Sequence, residues 1–134
     1  MDELPDWPDG TVAVLSTAGH EPHAIPVSLV LRAGPRELVI GLAPGRESLA
    51  RLRADPRCAV TILAAGDHAV TAYGRAAAFE EAGAVIAVRI ELDEIADHNR
   101  PTYVIEDGVR WRWTDADAER ADAAAREALS RRRS

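Results

Sequence analysis

The chain has 134 residues, 47% of them hydrophobic, which suits one globular domain with a core and leaves no room for a second. A formal net charge of -6 excludes a general nucleic-acid binder, which needs a dense basic surface, and the run Arg131, Arg132, Arg133 is too short to reverse that. Cys58 alone excludes an internal disulfide, and no run approaches the roughly 18 apolar residues of a membrane span.

The start, MDELPDWPDG, is acidic and proline-rich where a signal peptide is basic and then apolar, so a cytoplasmic protein with no membrane partner is expected. All 16 basic residues are arginine, so any phosphate contact must come from Arg, hydroxyls or backbone. The apolar share leans on Ala and Val, with aromatics at 4%, so burial per side chain is small and an oligomer is favoured.

In chain order, residues 1–10 form an arm that Trp7 can pin to the body, because Pro5, Pro8 and Asp9-Gly10 prevent regular structure. Residues 11–16, TVAVLS, read as a first strand and 23–31, HAIPVSLVL, as a second. Pro26 cannot donate to a ladder, so this second strand lies at an edge, a bulge or a barrel rim. The third strand is 37–42, and the helix 47–54 follows it through Pro44-Gly45 and stops at Asp55-Pro56.

Residues 58–64 form the fourth strand, and Gly66-Asp67 turns the chain into 68–79, where Gly74 marks a bulge or a close backbone approach. The sixth strand is 84–92, with Arg89 and Glu91 turned outward. Residues 102–106 and 109–114 are expected to pair as a hairpin carrying Trp111 and Trp113 on one face, with Arg112 opposite. A final helix over 115–131, with Thr114 as a cap candidate, shows little apolar face beyond Leu129 and is expected to lie loosely on the surface.

The pattern is mainly β: an antiparallel barrel, or a sandwich of the same strands. The whole chain, 1–134, reads as one such domain.

The chemistry concentrates in residues 38–56, LVIGLAPGRESLARLRADP. A strand there delivers a helix start, whose unpaired N-H groups and dipole attract anions, and Arg46, Ser48 and Arg51 cluster around it. The competing reading for Arg51 is a simple i, i+4 pair with Glu47 on a solvated helix face. His20 and His23 are read as turn and rim residues, His68 and His98 as isolated, and Cys58 as a small buried hydrophobe, so no metal site is expected. Trp111 and Trp113 have two readings: stacking against a ligand, or clamping the last hairpin to the barrel.

One succession of segments resembles a known family. A Val-rich strand ends in Ser16-Thr17, and a second strand carries His23-Ala24-Ile25-Pro26-Val27-Ser28. Gly45-Arg46-Glu47-Ser48 then leads through Leu49-Ala50-Arg51-Leu52-Arg53-Ala54-Asp55-Pro56-Arg57 into the next strand, and Gly74-Arg75-Ala76 follows later. Over residues 10–95 this order is similar to the pyridoxamine 5'-phosphate oxidase-like split-barrel family.

The resemblance implies an antiparallel split β-barrel with one short helix after the third strand and a C-terminal helix. It also implies a homodimer holding FMN, or a deazaflavin, in a groove between subunits, and hence a flavin-dependent oxidoreductase acting on a small-molecule substrate. By position, Arg46 and Ser48 would meet the phosphate and Arg51 would assist. Pro26, Val27 and Ser28 would flank the ring system, and Leu42 and Ala43 would offer backbone to the ribityl chain; Trp111 and Trp113 lie beyond the resembling stretch and would reach this groove on the ligand-stacking reading given above. Many members carry Lys where this chain has Ser48, and a hydroxyl brings no charge. The alternative is therefore a split-barrel binding module that has lost strong flavin binding.

Overall fold

Residues 13–97 of the computed structural model contain seven strands, in which core and solvent faces alternate most cleanly over 13–17 and 57–64, and two helices pack on them. The structure describes residues 1–66 and 68–132, so Asp67 of the expected turn and Arg133 of the terminal arginine run lie outside the described residues. The elements are β1 (Ala13–Thr17), β2 (His23–Val27), β3 (Val30–Gly34), β4 (Glu37–Leu42), α1 (Glu47–Ala54), β5 (Arg57–Ala64), β6 (His68–Ala82), β7 (Val85–Asp97) and α2 (Ala116–Ser130).

All seven strands form one antiparallel sheet in the order β2-β1-β5-β6-β7-β4-β3. Its inner face carries Leu15, Val60, Ile62, Val70, Leu38, Ile40, Val88 and Ile90, all fully buried. Each such side chain stabilises the fold by roughly 1.5–3 kcal/mol. Gly74 sits at a register shift on β6, where a Cβ would lie 2.0 Å from the Glu91 carbonyl oxygen, so only glycine fits. Arg89 and Glu91 turn away from this core toward Glu37 and Arg75.

The two edge strands of the sheet, β2 and β3, are neighbours in the chain and joined only by Ser28 and Leu29. The sheet therefore curls until its edges meet at this link and diverge beyond it, which is the split of the barrel. The expected single strand over 23–31 is thus two strands, and the short helix follows the fourth strand rather than the third. The physical reason is an exchange of partner: Val27 pairs with Ala13 on β1, while Val30 pairs with Ile40 on β4. Pro26 stands on the edge strand, as a residue without an N-H requires.

Three further expectations change. The hairpin over 102–114 does not form: residues 103–113 carry no ladder, both Val104 and Val109 are exposed, and the segment runs as a strap over the body. Alternation alone cannot make a strand where no partner edge covers one face. The cap of α2 is Asp115 and not Thr114; its carboxylate accepts from the backbone N-H of Asp117 at 2.8 Å and of Ala118 at 3.2 Å.

Nor does α2 lie loosely. It buries Ala125, Ala128 and Leu129, and the last two join Leu31, Ala33, Val39, Ala82 and Ala87 in a second core on the β3–β4 side of the sheet. Small side chains let the helix approach closely: Leu129 and Leu29 both reach within 3.2 Å of where a Cβ on Gly41 would stand. The arm is fixed as expected, with Trp7 Nε1 donating to the Val30 carbonyl at 3.0 Å and Leu4 buried.

Candidate functional site

Strand β4 ends with Leu42 in the core and delivers an exposed turn, Ala43 to Arg46, closed by the Arg46 N-H donating to the Ala43 carbonyl at 3.0 Å. Arg46 is the extended N-cap of α1, and no side chain caps the helix, so its start remains open to an acceptor from outside. The Arg46 side chain is exposed and has no hydrogen bond or ion pair among the described residues.

Glu47 and Ser48 are not free in this way. Glu47 Oε2 accepts from Arg51 Nε at 2.9 Å and lies 3.2 Å from His23 Nδ1. The Arg51 hydrogen bond, then the Arg51 charge, then His23 hold the Glu47 carboxyl below the usual carboxylate range. Arg51 also donates through Nη1 to the Glu21 carbonyl at 3.2 Å, so the i, i+4 pair is formed and the guanidinium is engaged. Ser48 is buried, 1% exposed, and its Oγ lies 3.1 Å from His23 Nε2. Its hydroxyl therefore faces the fold interior rather than the open helix start.

The opposite end of β2 lines a groove of about 300 Å³ formed by Val12, Pro26, Val27, Ser28, Trp111, Arg112, Trp113 and Thr114. This is the lower end of the volume range of small-molecule sites. Trp111 and Trp113 meet edge to face, with centroids 5.2 Å apart and planes at 83°, each a little over one third exposed. Trp111 Nε1 donates to the Gly10 carbonyl at 2.9 Å, which ties the strap to the arm. The pair thus stacks on itself within an irregular strap rather than sharing a strand face.

The fold gathers the ten chosen residues into two groups. Pro26, Val27, Ser28, Trp111 and Trp113 line the groove; Leu42, Ala43, Arg46, Ser48 and Arg51 surround the start of α1. His23 to Ser28 spans roughly 16 Å along the edge strand that connects the groups, from a rise of about 3.3 Å per residue. His23 itself is the residue that sequence reasoning passed over. Its signal was strand parity: His23 shares the inward face with Ile25 and Val27, and a polar side chain facing inward needs a partner.

Elsewhere the chemistry is quiet. Burial pushes the Cys58 thiol up to about 11, which leaves it inert at neutral pH. No group of His, Cys and carboxylates fit for a metal occurs among the described residues. No described helix is long and apolar enough to cross a membrane. The outer sheet face, by contrast, exposes Val14, Leu63 and Tyr73 on β1, β5 and β6.

No protein-family model matches the sequence, and no curated protein does. Solved structures do. The flavin reductase component of a bacterial two-component tryptophan halogenase superposes with a TM-score of 0.60 at 14% identity, over 68% of this chain and 81% of that one. The chain has the split-barrel fold.

A Streptomyces globisporus NADH:FAD oxidoreductase, solved with NAD and FAD fragments, shares the split barrel with a TM-score of 0.59 at 17% identity, over 81% of this chain and 87% of that one. A Listeria innocua protein provisionally assigned as a pyridoxamine 5'-phosphate oxidase gives 0.56 at 18% identity, over 67% and 90%. Flavin reductases and pyridoxamine 5'-phosphate oxidase-like proteins are thus the structural neighbours of this split barrel.

Proposed function

We propose that this split barrel is a flavin-dependent oxidoreductase that binds FMN or a deazaflavin along its edge strand β2, with the phosphate at Arg46 and the ring in the tryptophan groove. The observation that carries the reading is the groove itself: Pro26 to Ser28 and Trp111 to Trp113, far apart in sequence, line one cavity beside a sheet edge. Such an edge offers unpaired backbone donors and acceptors to a bound ring.

The residues present fit the group. The open start of α1 and the unpartnered Arg46 supply charge and N-H donors for a phosphate, and the apolar groove walls suit an aromatic ring. Bound there, the flavin supplies the redox chemistry, passing electrons between a reductant and a small-molecule substrate. The chain's own part is orientation: Pro26 and Val27 bound one side of the groove, and the paired indoles exclude water from the other. The absence of an accessible acid or base among the groove residues agrees with a site in which the cofactor reacts.

The working unit in this proposal is a cytoplasmic homodimer. The exposed apolar residues Val14, Leu63 and Tyr73 share one sheet face, and a second copy would cover them and complete the groove. The Streptomyces neighbour acts on NADH and FAD, so a nicotinamide reductant and FAD enter the test.

The second reading, a binding module with weak or no flavin binding, is favoured by one observation. With Ser48 turned inward to His23 and Arg51 held by Glu47, Arg46 is the remaining side-chain cation at the cradle. Titrating the purified protein with FMN, FAD and a deazaflavin while following visible absorbance and nicotinamide oxidation separates the two. Micromolar or tighter binding with turnover supports the oxidoreductase; binding without turnover supports the module; no binding removes the flavin.

A further inference from the structure

We infer that His23 is a positioning residue: it locks the first turn of α1 onto the edge strand and thereby aims Arg46 and the open helix start at a phosphate. The inference rests on the flavin reading above. One imidazole reaches two consecutive residues of that turn, with Nδ1 3.2 Å from Glu47 Oε2 and Nε2 3.1 Å from Ser48 Oγ. The first is an ion-pair distance, and the second a hydrogen bond in which either atom donates according to the imidazole tautomer.

The order carboxylate, imidazole, hydroxyl is that of a nucleophilic triad. Ser48 is only 1% exposed, so no acyl group reaches its oxygen and that use is excluded. What remains is mechanical. Arg51 grips the same Glu47 carboxylate from the next turn and the Glu21 carbonyl beyond it, so the β1–β2 turn, β2 and α1 form one unit.

This arrangement also draws the Glu47 charge toward β2 and Arg51, leaving Arg46 less opposed at the mouth of the helix. Opposite His23 in the β1–β2 register stands Thr17, whose hydroxyl is buried and has no hydrogen-bond partner. Folded proteins rarely leave such an atom unmet, so this corner calls for a further polar group.

The test compares FMN with riboflavin, which shares the ring and ribityl chain and lacks the phosphate. Dissociation constants for both are measured on the wild type, His23→Ala, Ser48→Ala and His23→Gln, with thermal melts alongside. The expected result is that His23→Ala and Ser48→Ala lose about tenfold or more of the preference for FMN while riboflavin binding changes less than about threefold, the scale of one charge-assisted contact. His23→Gln, which can still reach Ser48, should recover part of the preference.

A merely structural His23 would weaken both flavins alike and leave their ratio unmoved, and that result overturns the inference while the flavin reading stands. Ser48→Ala keeps a small buried residue, so the ratio can be read even where His23→Ala folds poorly. Equal binding of both flavins by the wild type would overturn the cradle and the role of His23 together. No binding of either would overturn the flavin reading and, with it, this one.

Discussion

Arg126 on α2 donates through Nη2 to the carbonyl of Ser28 at 3.2 Å, 98 residues away in the chain. Ser28 is the point where the chain leaves the β1 ladder for that of β4 and where the groove begins, so the C-terminal helix holds one wall of the candidate site. The side chain is 15% exposed and faces Asp122, at 3.7 Å. Arg126→Ala leaves that carbonyl and Asp122 without their cation and should lower unfolding stability by roughly 1–3 kcal/mol, measured in urea. Riboflavin binding, which probes the ring end, should weaken as well; unchanged stability and binding would show that α2 does not set the groove.

Arg46→Ala tests the phosphate end directly. The Arg46 side chain makes no hydrogen bond or ion pair among the described residues, and its backbone bonds survive truncation, so its removal should leave the melting temperature almost unchanged. FMN binding should fall by roughly 1.5–3 kcal/mol, the scale of hydrogen bonds to a charged group. Calorimetric titration reads both effects, and an unaltered FMN affinity would remove Arg46 from the site.

Acid stability should report on Glu47. Its folded-state pKa is lowered from the ordinary 4.5, first by the Arg51 hydrogen bond, so its contribution is full above that value and is lost as pH falls through the lower folded value. Asp55, held low first by its hydrogen bonds from Arg57, loses its contribution in the same direction. Melts between pH 6 and pH 3 should therefore decline less steeply for Glu47→Gln than for the wild type. Parallel curves would show that the carboxylate is equally solvated in both states.

The outer face offers a separate test. Leu63 and Tyr73 are 53% and 43% exposed on strands paired with each other. If a second copy covers them, Leu63→Arg with Tyr73→Glu should halve the mass seen by light scattering and leave the far-ultraviolet circular dichroism intact. A wild type that is already a monomer at micromolar concentration would refute the covered face.

The strands were legible in the sequence because burial imposes a period of two, and Pro26 and Gly74 announced an edge and a close approach by what they lack. The face of α2 was not, because it is built mainly from Ala125 and Ala128, whose small side chains register weakly in any hydrophobic pattern yet permit intimate packing. The strap over 103–113 misled for the opposite reason: Val109, Trp111 and Trp113 alternate as a strand does, but the segment pairs with no strand. At the site, the clustering of Arg46, Ser48 and Arg51 was readable from helix spacing. The inward turn of Ser48 toward His23 was not, since it depends on a contact between β2 and α1 that lies 25 residues apart.

The link between the two sheet edges also has a topological meaning. Because Ser28 and Leu29 alone carry the chain from one edge to the other, a backbone cut between them divides the protein into a 28-residue piece holding the arm, β1 and β2, and a remainder holding every other element. The two pieces would still find each other through the β1–β5 ladder and the Trp7 anchor. A ligand lying across the seam would act as glue between them, so reassembly of the halves would itself be a sensor of occupancy.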